Sequence, residues 1–297
     1  MLNLDGLRSF HSQGTSLGVV GFPIAHSLSP VFQNAALQAL AKDDPIYSDW
    51  EYLKIEAPVE QLPEVIELGR AKGFRGLNLT IPHKVEVLRY VDRVDPVAAK
   101  MGAVNTLVFH EDGVAGHNTD GCGISAAVNT ELGITITGRP IVLLGAGGAA
   151  RAICVQCLEE GCSELWVGNR SQARLQELLA RLTADYPEAT IRGFELGGDA
   201  PTVSEESLLI NATSLGLKPN DPMPVSRDML EAVGYVYDIV YGSKITPLVK
   251  AARDAGKPAA DGLSMLIFQG RESLILWTGR QPSVEVMREA ILKFTDH

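Results

Sequence analysis

The sequence predicts an α/β protein of two domains, and three observations carry that reading. Strand-like and helix-like segments alternate along most of the chain, the pattern of mixed α/β layers. An apolar run at 141–144 passes directly into Gly145, Gly147 and Gly148 and then into a helical stretch at 149–160. A length of 297 residues suits about two ordinary domains.

Composition narrows the function classes. The chain is 45% hydrophobic and 21% charged, which is ordinary for a globular protein. Thirty-six acids against 26 bases give a formal charge of −10. That balance opposes nonspecific binding to nucleic acid or to an anionic membrane surface. No apolar run approaches the ~20 residues of a membrane span. The first sixteen residues carry Asp5, Arg8 and His11 without an apolar core. They are expected to be a loose extension with no secretory signal, which makes the cytoplasm the expected location. Cys154 and Cys157 have redox or zinc spacing but fall inside a predicted helix with no second ligand pair nearby. They read as buried helix residues, and no metal is predicted.

Taken in order, 17–21 is a short buried strand that enters a rigid loop with two prolines and two serines, Ser27 and Ser29. Ser29 followed by Pro30 reads as a helix cap ahead of a helix at 31–41. Alternatively, Ser27 and Ser29 present hydroxyls to a pocket. Residues 49–55 form a strand, and 62–72 an amphipathic helix stopped by Gly73. In 76–84, Leu77, Leu79 and Ile81 alternate with Asn78 and Thr80, a strand with one apolar and one polar face. Lys84 follows where a helix begins, and is either a solvated charge or a pocket lysine. Residues 102–109 read as another strand, with Asn105 and Thr106 at its entry, and 110–113 as a hairpin-type turn. Residues 116–121 are rich in turn formers. There Thr119 or Asp120 caps the next helix, or the Asp120 carboxylate stands beside the Lys84 ammonium, a pair able to move a proton and hold a hydroxyl.

The second half opens on the strand, glycine turn and helix. Gly145 supplies the tight turn, Gly147 and Gly148 keep side chains away from an approaching pyrophosphate, and the helix amides face its oxygens. Ala150 stands where the third glycine of the pattern is usual. This is the opening unit of a Rossmann-like domain. The next strand, 164–168, lacks the terminal acid that holds a ribose 2′-hydroxyl and is followed by Asn169, Arg170 and Arg174. Guanidinium groups suit a 2′-phosphate, so NADP is favoured over NAD, with a solvated helix start as the alternative. Residues 208–214 and 235–240 are further strands, the second running up to Tyr241; 244–255 is a loop and helix. Helices at 262–277 and 283–294 close the chain.

At this point the chain resembles the shikimate dehydrogenase family over nearly its whole length. The matching stretches are Gly21-Phe-Pro-Ile-Ala-His-Ser-Leu-Ser-Pro30, Asn78-Leu-Thr-Ile-Pro-His-Lys84, Gly102-Ala-Val-Asn-Thr106 and Asn118-Thr-Asp-Gly121 in the first part. Gly145-Ala-Gly-Gly-Ala149, Asn169-Arg-Ser171, Asn211-Ala-Thr-Ser214 and Gly262-Leu-Ser-Met-Leu266 with Gln269 follow in the same order.

The resemblance implies a substrate domain, 1–121 completed by the C-terminal helices of 262–297, and a Rossmann-like NADP-binding domain, 122–261. It implies reversible reduction of 3-dehydroshikimate to shikimate with NADPH, in aromatic amino acid biosynthesis. By the same resemblance Ser27 and Ser29 hold the substrate carboxylate with Tyr241 nearby, and Asn78, Thr80, Asn105 and Gln269 hold ring hydroxyls. Lys84 and Asp120 flank the reacting oxygen. Gly145, Ala146, Gly147, Gly148, Ala149, Asn169, Arg170, Ser171, Arg174, Thr213, Ser214, Ile239, Gly262 and Met265 line the cofactor. The partner is then a small molecule, with no nucleic acid or membrane, and the protein is a monomer or a homodimer.

Two features depart from the family. Gln33 stands where His is frequent, and is expected to have little effect; Gly242 and Ser243 lie in a segment that varies. Two other readings share the motifs. A quinate/shikimate dehydrogenase using NAD or NADP would need more room beside Ser27 and Ser29. A non-catalytic NADPH-binding sensor would have damaged the pair of Lys84 and Asp120, which is intact.

Overall fold

The computed structural model describes residues 1–198, 201–218, 220–242 and 245–295. Ser243 and Lys244, in the stretch after Tyr241, lie outside the described residues. The chain divides into two compact units, Met1–Thr119 with Ile267–His297, and Asp120–Leu266.

The first unit runs α1 (Leu4–Ser9), β1 (Ser16–Gly21), α2 (Ser29–Asp43), β2 (Glu51–Glu56), α3 (Leu62–Ala71), β3 (Phe74–Leu79), α4 (His83–Glu86), β4 (Arg93–Val94), α5 (Pro96–Met101), β5 (Thr106–His110) and β6 (Gly113–His117). Its six strands are ordered β2-β1-β3-β5-β6-β4. The β2-β1-β3 half is parallel, and β5 joins it antiparallel and forms a hairpin with β6. Leu62, Val65, Leu77, Val87, Leu107 and their neighbours form the core on one face of this sheet.

The second unit contains α6 (Asp120–Leu132), β7 (Pro140–Leu144), α7 (Gly148–Glu159), β8 (Glu164–Asn169), α8 (Gln172–Asp185), β9 (Ile191–Glu195), β10 (Leu208–Asn211), α9 (Arg227–Ala232), β11 (Tyr235–Asp238), α10 (Pro247–Asp254) and β12 (Ala259–Ala260). The order β12-β11-β10-β7-β8-β9 is parallel throughout. Read from β9 it is 3-2-1-4-5-6, the doubly wound arrangement in which strand order reverses beside the first strand. Strands β7 and β10 are buried along their lengths and apolar but for Asn211, with Pro140 alone partly exposed, as strands covered on both faces must be. Helix α11 (Leu263–Thr278) begins in this unit and continues into the first, where α12 (Val284–Thr295) packs on α2.

Several expectations need correction. The N-terminal residues are not a loose extension. Leu4 and Leu7 are buried, Asn3 caps α1 through Gly6 N–H at 2.8 Å, and Leu2 bridges to Ile55. The apolar spacing of Leu4 and Leu7 is too short to register as a helix, but it suffices to cover the β2 edge. Residues 102–105 are not strand. Asp95 and Pro96 start α5, and Gly102, at φ +60°, ends it, so β5 begins only at Thr106. The first part of 116–121 is strand β6, whose small residues permit close pairing with β5. Ser29 is not the cap of α2. Leu28 is already helical, so Ser29 is the first helical residue and its own N–H reaches Ser27 Oγ at 3.3 Å.

Candidate functional site

In the first unit the predicted polar residues are drawn together by β1, β3, β5 and α11. The loop carrying Ser27 and Ser29 leaves β1 and is pinned by Lys54 Nζ donating to Ala25 C=O at 2.7 Å and by Ile24 N–H donating to Glu56 at 3.3 Å. Ser29 is buried and Ser27 half-buried.

Asn78 is the hub. Its Oδ1 accepts from the Tyr52 hydroxyl at 2.7 Å. Its Nδ2 donates to Asn105 C=O at 3.1 Å, Thr106 Oγ1 at 3.0 Å and Ser273 Oγ at 2.9 Å. Asn105 continues the network. Its Oδ1 accepts from Thr106 Oγ1 at 2.8 Å and Thr119 N–H at 2.9 Å, and its Nδ2 donates to Thr119 Oγ1 at 2.9 Å and Gln269 Oε1 at 3.4 Å. A buried amide left unpaired costs about 1–3 kcal/mol, so such a network fixes every side chain in it. Thr119 therefore directs its hydroxyl to Asn105.

Thr80 lies just past β3, its N–H on Val20 C=O at 2.9 Å. It opens the turn into α4, where His83 N–H returns to Thr80 C=O at 2.8 Å. The Lys84 side chain is half-buried, and its carbonyl accepts from Val104 N–H at 2.7 Å. His83 beside it is fully buried; Nε2 donates to Ala57 C=O at 2.9 Å, while Nδ1 is buried with no partner. Burial pushes the His83 pKa down, since a second ring proton would have no acceptor. Gln33, the departure from the family, is also buried, with Nε2 on Gly270 C=O at 3.1 Å, and ties α2 to α11.

In the second unit Asp120 is the first residue of α6 and is buried. The carboxylate suits the positive end of that helix. Tyr241 is partly exposed, and desolvation pushes its hydroxyl pKa up to about 12.

The turn after β7 is built as the spacing predicts. Gly145 has φ +117° and its N–H donates to Gly168 C=O at 2.7 Å. A Cβ there would lie 2.8 Å from Ala212 C=O, so both conformation and space demand glycine. Ala146 is buried, Gly147 exposed, and nothing lies within 4 Å of where a Gly147 Cβ would stand. Gly148 and Ala149 then open α7. An open glycine backbone at a helix N-terminus fits a dinucleotide pyrophosphate. Asn169 ends β8 and donates to Ser171 C=O at 2.9 Å, and Arg170 and Arg174 are exposed beside it. Sequence reasoning passed over Arg151, which is buried on α7 and paired to Glu177 at 2.6 Å.

At the ends of β10 and β11, Thr213 donates its N–H and hydroxyl to Asn211 Oδ1 at 3.1 and 2.7 Å, with exposed Ser214 next to it. Ile239 N–H reaches Asn211 C=O at 3.0 Å. Gly262 N–H donates to Val240 C=O at 3.1 Å, and Met265 N–H to the Tyr237 hydroxyl at 3.2 Å. Asp238, which the sequence reading did not single out, accepts from Asn211, Val240 N–H and Thr246. Its pKa is raised by burial and partly restored by those donors. Burial likewise raises the thiol pKa values of Cys154 and Cys157, both free and packed inside α7. No helix among the described residues is long and apolar enough to cross a membrane.

A parallel doubly wound sheet with a glycine turn after its first strand, in a chain that also carries a second α/β unit rich in ordered amides and hydroxyls, defines a nucleotide-dependent oxidoreductase class. The shikimate dehydrogenase substrate binding domain matches residues 19–107, and the shikimate 5'-dehydrogenase C-terminal domain matches residues 262–292. The chain belongs to the shikimate dehydrogenase family. It is 37% identical to the shikimate dehydrogenase (NADP(+)) of Geobacter metallireducens, over 93% of this chain and 95% of that one. It is 41% identical to the shikimate dehydrogenase (NADP(+)) of Rubrobacter xylanophilus at the same coverage. A shikimate dehydrogenase crystallised in complex with NADP+ superposes with a TM-score of 0.83 at 33% identity, covering 97% of this chain and 98% of that one.

Proposed function

We propose that this chain catalyses the reversible NADPH-dependent reduction of 3-dehydroshikimate to shikimate. One observation carries the substrate side. The groups that a hydroxylated ring requires, Asn78, Asn105 and Gln269, belong to one hydrogen-bonded assembly rather than to scattered surface. Ser27 and Ser29 bind the carboxylate as neutral donors, with Tyr241 beside them, and Asn78, Thr80, Asn105 and Gln269 orient the ring hydroxyls.

Bound NADPH would supply the hydride. Lys84 stabilises the negative charge that grows on the reacting oxygen and delivers or relays its proton. Asp120 anchors the neighbouring hydroxyl and keeps Lys84 in place. Residues 145–149 bind the pyrophosphate. Asn169, Arg170, Ser171 and Arg174 hold the phosphorylated ribose, and Thr213, Ser214, Ile239, Gly262 and Met265 line the remainder. On this reading the domain of residues 1–121 and 262–297 holds substrate, and the domain of 122–261 holds NADP. The protein works in the cytoplasm as a monomer or homodimer.

The test follows NADP+ reduction by absorbance with shikimate as substrate, with quinate and NAD+ run in parallel. Turnover that is fastest with shikimate and NADP+ is expected. Cofactor binding without turnover would overturn the reading, and preference for quinate with NAD+ would replace the substrate and cofactor.

A further inference from the structure

Arg151 is the fourth residue of α7, one turn beyond the glycines assigned to the pyrophosphate, and its side chain is only 9% exposed. A guanidinium taken out of water needs an opposite charge close by. Among the described residues its Nε is buried with no hydrogen-bond partner. Its Nη2 donates to Glu177 Oε1 at 2.6 Å, and Glu177 belongs to the next helix, α8. The pair is lopsided, because the Glu177 side chain is 64% exposed. A buried cation on α7 is therefore held by a carboxylate that stands largely in solvent.

The place of that carboxylate on α8 gives the pair a second consequence. Glu177 follows Arg174 by three residues on the same helix. Residues three apart share a helix face, with Cβ atoms about 5–6 Å apart, close enough for an exposed Arg and Glu to pair. Glu177 is instead bonded across to α7, and Arg174 stays exposed. The Glu177 carboxyl lies below the usual carboxylate range, first through the Arg151 hydrogen bond and more weakly through the fields of Arg174 and Arg181. A phosphate monoester carries about 1.5–2 negative charges near neutral pH. An uncompensated carboxylate one turn from Arg174 would oppose such a group twice, by taking the same guanidinium and by repelling the phosphate itself.

We propose that Arg151 is a positioning residue that determines specificity for NADP: by occupying Glu177 it keeps that carboxylate off Arg174 and leaves Arg174 to the 2′-phosphate. The inference rests on the assignment of Arg174 to that phosphate. A plain brace between α7 and α8 would serve NADP and NAD alike. The electrostatic role acts only on the cofactor that carries the extra phosphate.

The test measures dissociation constants of NADP+ and NAD+ by titration calorimetry, with no turnover involved. Arg151→Met removes the buried charge, keeps an apolar stem and leaves Glu177 in water, so the fold is expected to survive, and melting curves check this. NADP+ is expected to bind about three- to tenfold more weakly, the scale of one exposed charge acting on a nearly divalent group, while NAD+ binds as in the parent. The ratio of variant to parent should fall toward one in about 1 M salt, where charges more than about 3 Å apart are largely screened. Adding Glu177→Gln to Arg151→Met removes the competing charge and should bring the preference for NADP+ back to within about twofold of the parent. Glu177→Gln alone keeps an acceptor for Arg151 and should bind NADP+ at least as tightly as the parent, a check that does not depend on how Arg151→Met folds. Equal weakening of NADP+ and NAD+, a double variant no better than Arg151→Met, or weaker NADP+ binding in Glu177→Gln overturns the proposal while leaving Arg174 on the phosphate. Arg174→Ser separates the two readings, since a parental preference for NADP+ in that variant overturns the assignment of Arg174 and the role of Arg151 with it.

Discussion

Asn211 donates its side-chain amide to the Asp238 carboxylate at 2.8 Å, and neither residue is exposed to solvent. Through this one contact the ends of two neighbouring strands, β10 and β11, are locked together. The same carboxylate holds Val240 N–H and the Thr246 hydroxyl, and the same asparagine holds Thr213. Thr213 and Ile239 thus take their positions from a pair of residues that need not touch any ligand themselves.

Asp238→Ala is expected to lower the melting temperature and raise KM for NADP+ about tenfold, because three donors lose their acceptor at about 1–3 kcal/mol for each one left unsatisfied. Asp238→Asn should do much less. Its oxygen can still accept from Asn211 and Val240, its amide can donate to Thr246, and the cost of burying a charge disappears. Melting curves and cofactor KM for both variants check this. Equal damage from Asn and Ala would mean that the charge itself, rather than the acceptor geometry, is what the loops require.

Lys84→Ala is expected to lower kcat by about 10²–10⁴, the usual worth of a positioned proton donor, or roughly 3–5 kcal/mol of barrier. The fold should survive, because the Lys84 backbone is anchored by Val104 N–H donating to its carbonyl. Steady-state rates with an unchanged circular dichroism spectrum would agree with this. Near-parental kcat would remove Lys84 from the chemistry.

Arg170 and Arg174 are exposed at the start of the segment after β8, where no acid stands. Replacing both with Ser should raise KM for NADP+ by about tenfold or more, the loss of one or two guanidinium–phosphate contacts. KM for NAD+ should change little. The ratio of kcat/KM for the two cofactors is the quantity to measure, and an unchanged ratio would place the 2′-phosphate elsewhere.

The second unit was the more legible half in the sequence. Its central strands β7 and β10 are largely continuous apolar runs, and its glycine turn has a backbone conformation at Gly145 that few other residues tolerate. Such features act over a few residues and survive in any context. The exposed edge strand β9, with Arg192 and Glu195 in it, gave no such signal. The first unit hid more. Strand β6 is made of Gly113, Val114, Ala115, Gly116 and His117, and it holds its conformation because β5 and β4 flank it. Helix α1 is too short to show a period. Tyr52 and Ser273 were invisible as site residues because a strand tyrosine and a helix serine are ordinary core and surface residues. Only the folding of β2 and α11 around Asn78 gives their hydroxyls a shared task. Asp238 was missed for a related reason, since a lone acid at a strand end carries no sign of the three donors that surround it.

His83 adds a pH dependence whose sign is fixed by its surroundings. One ring nitrogen donates to Ala57 C=O at 2.9 Å and the other is buried without a partner, so the neutral ring is favoured and the folded pKa lies below the ordinary 6.5. The unfolded chain therefore binds a proton at a higher pH than the folded one. The stabilisation is fully present above about pH 6.5 and is lost as pH falls toward the folded pKa, by up to about 1.4 kcal/mol per pH unit. His83→Phe removes the titration and also the bond to Ala57, so it should be less stable at pH 8 yet show a flatter decline on acidification. His117, whose pKa burial also lowers, is present in both proteins and cancels in the difference. Urea midpoints for the two proteins between pH 8 and pH 5 should therefore converge. Parallel curves would show that the His83 ring gains a proton as easily inside the fold as outside it, which the buried, unpartnered nitrogen does not permit.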